Sequence, residues 1–279
     1  MREIPSSDIT ECVRSMCIRA NCILPPDIKE SLLKARETED SPDARDTLCS
    51  ICQNAEIAES SSRPVCQDTG MACVFVELGQ EVHVTGSLNE AIHEGVRRGY
   101  RDGYLRSSVV ADPLDRKNTG DNTPAMITYD IVPGDRVRIT LAPKGFGSEN
   151  MSRIKMLKPS DGLQGVKDFV ISVVEEAGPN PCPPVVVGVG IGGTFDKAAL
   201  LAKKALLRSL NESNPSAFYA ALEKELENSI NRLGIGPQGF GGRTTALGVR
   251  VEVLPTHIAG LPVAVNLSCH VTRHVTEVL

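Results

Sequence analysis

Three of the chain's nine cysteines stand on backbone punctuated by proline, glycine or asparagine and beside polar side chains, which is the setting of a site rather than of packing. Cys66 lies in Arg63-Pro64-Val65-Cys66-Gln67-Asp68-Thr69-Gly70, Cys182 in Asn180-Pro181-Cys182-Pro183-Pro184, and Cys269 in Asn266-Leu267-Ser268-Cys269-His270. Thiolates presented from constrained turns could converge on one inorganic cluster, and three of them would leave one iron open to substrate. Their positions match no compact ferredoxin spacing. From local sequence the plainer alternative, three ordinary buried cysteines, stays open.

The other cysteines have a different look. Cys12, Cys17 and Cys22 recur every five residues, and Cys49 and Cys52 form a CxxC, but both sets fall in helical stretches without a turn between their members. Residues three apart share a helix face, so a structural reading is favoured over metal binding for Cys49 and Cys52. Gly188-Val189-Gly190-Ile191-Gly192-Gly193 formally matches GxGxxG. A dinucleotide site also needs an acidic residue at a second strand end about 20 residues on. Asn211-Glu212-Ser213-Asn214 offers no such strand, so a glycine turn before a helix is expected, with a nucleotide-dependent oxidoreductase as the competing class.

Arg97, Arg98 and Arg101, with Tyr100 and Tyr104 interleaved, read as a solvated helix face rather than a nucleic-acid patch. Arg106 follows that helix in a loop, where a guanidinium can clamp a carboxylate with two hydrogen bonds. His257, His270 and His274 share the polar C-terminal region with Cys269, while His83 and His93 are left as structural.

The elements that must position these residues are mixed. Apolar spacing predicts helices from Ser6 to about Ser60, interrupted at Pro25-Pro26, the third of them turning Leu48, Ile51, Cys52 and Ile57 inward. Strands are expected over 72–78 and 82–84, joined as a hairpin, over 125–131 and 136–142 around Pro133-Gly134-Asp135, and over 185–187, 247–253 and 261–267. Helices are expected over 89–101, to about Ala177, and over 194–207 and 217–233. The fold class is α/β (mixed α+β), N-terminal helices leading into mixed sheets flanked by helices. No repeat or linker justifies cutting the chain, so residues 1–279 read as one domain or two closely joined lobes.

Composition narrows the partners. Thirty basic and thirty-five acidic residues give a formal charge of −5, which supplies no general attraction to nucleic acid or an anionic membrane. No apolar run is long enough to span a bilayer, and MREIPSSDITECVRS lacks the apolar core of a secretory signal. A soluble cytoplasmic protein is expected, where thiols stay reduced and cluster or metal roles gain weight over disulfides.

In order along the chain, the Cys66 motif, Lys117-Asn118-Thr119-Gly120, Lys144-Gly145-Phe146-Gly147-Ser148-Glu149-Asn150, Cys182-Pro183-Pro184, Gly190-Ile191-Gly192-Gly193-Thr194 and the Cys269 segment together resemble the class I fumarase family. The resemblance is to the α subunit of its two-subunit form and covers nearly the whole chain. It implies a 4Fe-4S cluster on Cys66, Cys182 and Cys269 and reversible hydration of fumarate to malate. It also implies substrate contacts from Gln67, Asp68, Arg106 and the backbone at Gly147, with His257 close to the substrate. The catalytic base, a threonine, would come from a β subunit in an αβ or α2β2 assembly. Phe146 stands where the family often has a third glycine. The Gly147-Ser148-Glu149-Asn150 and Gly192-Gly193-Thr194 forms favour fumarate over the related tartrate dehydratases; mesaconate hydration and a non-catalytic cluster-binding subunit are the further readings.

Overall fold

The structure, a computed structural model, describes all residues from Met1 to Leu279. The chain divides into two compact units. Unit 1 comprises residues 1–25, 55–146 and 273–279, and unit 2 comprises residues 26–54 and 147–272. Mixed α/β architecture is present in both.

Unit 1 begins with β1 (Arg2–Pro5) and α1 (Ser6–Cys22). Ile9, Val13, Met16 and Cys17 fall on one face of α1 at helical spacing, and that face is buried. The end of α3 (Pro42–Ser61), whose earlier part belongs to unit 2, then leads into the Cys66 turn and on to β2 (Met71–Gly79), β3 (Val82–Thr85) and α4 (Leu88–Asp102). Ser87 caps α4 by accepting the Glu90 N–H at 3.3 Å, the first half of a capping box. Helices α1 and α4 approach closely because Gly95 and Gly99, one turn apart, have no side chain in the way. A Cβ on either would lie 2.6 Å from the Cβ of Val13 or of Cys17. These helices share a core with β2 and β5 (Val137–Lys144) built from Val74, Val76, Val96, Ile139 and Leu141. Burying each such side chain is worth roughly 1.5–3 kcal/mol before entropy is counted.

The sheet of unit 1 runs β10 (Val275–Val278), β5, β2, β4 (Met126–Val132), with β2 and β4 parallel and the other pairs antiparallel. The expected hairpin of the 72–78 and 82–84 strands is not formed: β3 pairs in parallel with β1, Val84 opposite Ile4. The reason lies at the end of β2. The N–H groups of Gly79, Gln80 and Glu81 donate to the carbonyls of Arg136, Val132 and Gly134, so the chain leaving β2 is bound to the β4–β5 turn instead of folding back on itself. That turn at Pro133-Gly134-Asp135 exists as expected, yet β2 lies between the strands it connects.

Unit 2 contains α2 (Pro26–Thr38), most of α3, the single turn α5 (Phe146–Glu149), β6 (Arg153–Leu157), α6 (Gly162–Ala177), β7 (Val185–Gly193), α7 (Phe195–Ala205), α8 (Ala217–Asn231), β8 (Ala246–Thr256) and β9 (Leu261–Ser268). Leu48, Ile51 and Cys52 of α3 are buried, but Ile57 is exposed. Nine residues at about 100° each put Ile57 half a turn away from Leu48. The sheet order is β6-β9-β7-β8, with β7 and β8 parallel. Val187 and Val189 share one core with α6 and α8.

The glycine-rich run at 188–193 is strand, not the expected turn. A Cβ at Gly188 or Gly190 would come within 2.1 Å of the Ala202 or Ala198 carbonyl, so these glycines let α7 lie directly on β7. Edge strand β8 is capped by side chains. Val251 donates its N–H to Glu223 Oε1 at 2.8 Å, its carbonyl accepts from Asn214 at 2.9 Å, and Arg208 pairs with the same Glu223 carboxylate. The β8 residues Val249, Arg250 and Val251 are therefore all buried, and the half-exposed alternation expected there is replaced. No helix is long and apolar enough to cross a membrane.

Candidate functional site

In unit 1 the Cys66 turn is anchored before it begins, because Val65 donates its N–H to the Asn21 carbonyl at the end of α1 (2.9 Å). Proline at 64 and the left-handed Gly70 (φ +73°) bound a stretch that cannot be helical. A Cβ at Gly70 would stand 2.7 Å from the Lys144 backbone, so only glycine lets the turn close onto β5. Within the turn Asp68 donates its N–H to Cys66 Sγ at 3.4 Å, which fixes the sulfur against the backbone of the turn. Asp68 is itself held at three points. Its Oδ1 accepts the Gly70 N–H at 3.0 Å, its Oδ2 accepts the Phe146 N–H at 2.9 Å, and its carbonyl accepts from the buried Arg273 guanidinium at 2.6 Å. A carboxylate with two amide partners retains lone pairs for a further donor.

Arg106 belongs to the same unit and is tied to the same turn. Thr69 Oγ1 accepts the Arg106 N–H at 2.9 Å and donates to the Arg106 carbonyl at 3.2 Å. The Arg106 side chain is exposed and makes no ion pair, whereas Arg97 pairs with Glu94 and Asp121, Arg98 with Glu94, and Arg101 with Asp102. The helix face is solvated as expected, and its arginines are paired with acids on α4 and at Asp121. Its companion Tyr100 is the exception, being buried with its hydroxyl donating to the Thr69 and Gly70 carbonyls at 2.8 and 3.0 Å.

Unit 2 gathers two cysteines and one backbone position at one end of its sheet. Cys182 is exposed and left-handed (φ +56°), its N–H bonded to the Pro179 carbonyl. Its own carbonyl accepts the N–H of His270, the residue after Cys269, at 3.3 Å. Cys269 is partly exposed, and its carbonyl accepts both the N–H and the hydroxyl of Thr272. Gly147 is exposed, and a Cβ built on it would lie 3.9 Å from the carbonyl of Asn180, two residues before Cys182. Behind it Glu149 pairs with Lys203 and accepts from Asn266 at 2.7 Å.

His257 is not brought to that end. It is exposed on the turn after β8, where it accepts the Ala259 N–H at 3.2 Å through Nδ1. Val185 pairs with Ala246 and Gly193 with Thr256, so roughly 25 Å of strand separates His257 from Cys182.

None of the nine cysteines is in a disulfide. Those off the three turns sit differently: Cys17, Cys22, Cys52 and Cys73 are buried, and Cys12 and Cys49 lie part-buried on helices. Burial pushes the Cys12 thiol up to about 11 and those of Cys17 and Cys22 up as well, which disfavours the thiolate a metal needs. The turn cysteines suit an iron–sulfur cluster in donor chemistry and access. No group of three or more His, Cys, Asp or Glu side chains is placed to hold a metal ion, and Cys66 belongs to a different unit from the other two. In sequence Thr69 and Asn122 carry no assigned role, and Tyr100 reads only as part of a solvated arginine face, yet all three hold the Cys66 turn and the Arg106 loop. The only local signals were the hydroxyl inside Asp68-Thr69-Gly70 and the turn composition of Gly120-Asp121-Asn122-Thr123-Pro124.

The chain belongs to the fumarate hydratase (Fumerase) family, whose model matches residues 10–278. Among its relatives, a protein of Methanocaldococcus jannaschii provisionally named L(+)-tartrate dehydratase subunit alpha is 44% identical, with 95% of each chain covered. The L(+)-tartrate dehydratase subunit alpha of Escherichia coli strain UTI89 is 35% identical, covering 96% of this chain and 89% of its own. The protein of the same name from strain K12 is 34% identical over the same shares.

Proposed function

We propose that this chain is the α subunit of a dicarboxylate hydro-lyase, with Cys66, Cys182 and Cys269 as thiolate ligands of a 4Fe-4S cluster. The reading is carried by the setting of those cysteines. They occupy turns with reachable sulfurs, while the rest of the cysteines lie on helices or a strand, four of them buried and the others part-buried. A cluster bound there supplies a Lewis-acidic iron that makes a substrate hydroxyl a better leaving group.

The chain's own residues handle the organic acid. Arg106, exposed and free of any ion pair, is positioned to take a carboxylate bidentately. The Gly147 N–H is a second anion donor, and the Gln67 amide with the remaining lone pairs of Asp68 would orient a hydroxyl. His257 is left out of this set because of its place at the other end of β8. No side chain in either unit is assigned as the base at the adjacent carbon. That role is given to a β subunit, as the subunit names of the relatives suggest, in an αβ or α2β2 complex in the cytoplasm.

Fumarate and malate are the proposed substrate pair. A second reading, L(+)-tartrate dehydration, is favoured by the names of the relatives at 44% and 35% identity. Anaerobic reconstitution with iron and sulfide is expected to give a brown protein with about four irons per chain. Mixing with the β subunit is then expected to give faster turnover of fumarate than of tartrate or mesaconate. Faster tartrate turnover selects the second reading, and a colourless protein that retains no iron overturns both.

A further inference from the structure

We infer that Thr69 is a positioning residue whose hydroxyl sets where Arg106 presents its guanidinium; the inference rests on the proposed role of Arg106 in binding a substrate carboxylate. A single buried oxygen serves both polar groups of one distant residue, accepting the Arg106 N–H at 2.9 Å and donating to its carbonyl at 3.2 Å. A hydroxyl both donates and accepts from one atom, which an isosteric methyl cannot do. Thr69 is 2% exposed, so its hydroxyl finds its partners in Arg106 and not in solvent.

The clamp is braced from both sides. The Thr69 carbonyl accepts from Tyr100 at 2.8 Å, and the next carbonyl, of Gly70, accepts from Tyr100 at 3.0 Å and from Asn122 at 3.2 Å. Asn122 is fully buried, and its Oδ1 accepts the Ser108 N–H at 2.7 Å. Residues 106 and 108 are therefore hydrogen-bonded to groups that hold residues 69 and 70, directly after Cys66-Gln67-Asp68. The arginine loop and the cysteine turn are thus hydrogen-bonded together across 37 positions by the side chains of Thr69 and Asn122.

Reconstituted holoenzyme, α chain with its β subunit, carries the test through Thr69→Val, Thr69→Ser, Arg106→Ala and the double variant Thr69→Val/Arg106→Ala. Arg106→Ala is expected to raise the KM for the dicarboxylate. Thr69→Val should raise it by about tenfold to a hundredfold, with iron content unchanged and a smaller change in kcat. Thr69→Ser should restore KM to near the parent value, and the double variant should be no worse than Arg106→Ala, since both changes remove the same contact. If Arg106→Ala raises KM and Thr69→Val does not, the inference fails while the proposed function stands. Additive effects of the two changes would reduce Thr69 to a structural residue and also overturn it. An unchanged KM in Arg106→Ala removes the reading on which the inference rests. If Thr69→Val does not fold, Thr69→Ala provides the same measurement, because it deletes the same hydroxyl and both of its bonds to Arg106 with no added bulk. A rise in KM with iron content unchanged then supports the inference, and an unchanged KM overturns it.

Discussion

Cys17 and Cys66 are the same residue in opposite settings within one compact unit. Cys17 lies on α1 with its Cβ against Gly99 of α4, wholly buried, and desolvation drives its thiol well above the ordinary range. Cys66 lies on a turn, partly exposed, its sulfur accepting a backbone N–H. The helical cysteine behaves as a small hydrophobe that fills a glycine-made gap, whereas the turn cysteine is held by polar bonds and open to a ligand. Backbone setting, not residue type or spacing, separates the two roles.

The largest expected effect would break this comparison outright if it failed. Serine at 66, 182 or 269 should each abolish iron retention after anaerobic reconstitution and leave hydration at background, while Cys17→Ser and Cys49→Ser keep the parent iron content. Loss of iron from Cys49→Ser, or its full retention in a turn variant, would reverse the assignment.

A smaller effect sharpens the packing half of the contrast. Gly99→Ala would bring a methyl to 2.6 Å from the Cys17 Cβ and 2.8 Å from the Arg14 carbonyl. We expect a net loss of about 2 kcal/mol in denaturant unfolding, because overpacking exceeds the roughly 1 kcal/mol that alanine gains over glycine in a helix. Unchanged or increased stability would show that α1 and α4 can part without cost.

Smaller again, Cys17→Ser should cost about 1 to 2 kcal/mol, since a hydroxyl replaces a weakly polar thiol in an apolar contact. A backbone bond within α1 limits the penalty.

The smallest concerns alkaline pH. In the folded protein burial raises the thiol pKa values of Cys12 and Cys17 above the ordinary 9.0 they regain on unfolding. The unfolded state therefore releases protons first. The stability that neutral thiols contribute is complete below pH 9 and declines as pH rises from 9 towards 11, where Cys12 begins to ionise in place. Unfolding midpoints across that window should fall for the parent and fall less for Cys12→Ala/Cys17→Ala. In iron-free protein at pH 8, iodoacetamide should label Cys182 well before Cys12 or Cys17.

Part of the site was legible in the residues themselves. Pro64 and Gly70 announce a turn around Cys66, Pro181 and Pro183 one around Cys182, and the loop position of Arg106 sets it apart from Arg97, Arg98 and Arg101, which the structure pairs with acids. The bracing of that turn was not legible. Nothing in the sequence sets Asn122 apart, yet it is fully buried, donating to the carbonyl of Gly70 and accepting from the amide of Ser108. The glycines at 188 and 190 read as a plain turn before a helix and are instead a flat track for α7, a role visible only once helix and strand are in contact.

The sequence by itself determined the helices α1, α4 and α8, since a 3.6-residue apolar period is a local property of the chain, and it determined that three cysteines would stand on turns. The tertiary structure alone decided that β3 joins β1 instead of β2, that β2 separates β4 from β5, and that His257 lies at the opposite end of its sheet from Cys182. The physical reason is that strand edges present the same N–H and C=O groups whatever the side chains. Which edges meet is settled by long-range closure and by the few amides, such as those of residues 79–81, that find their carbonyls elsewhere.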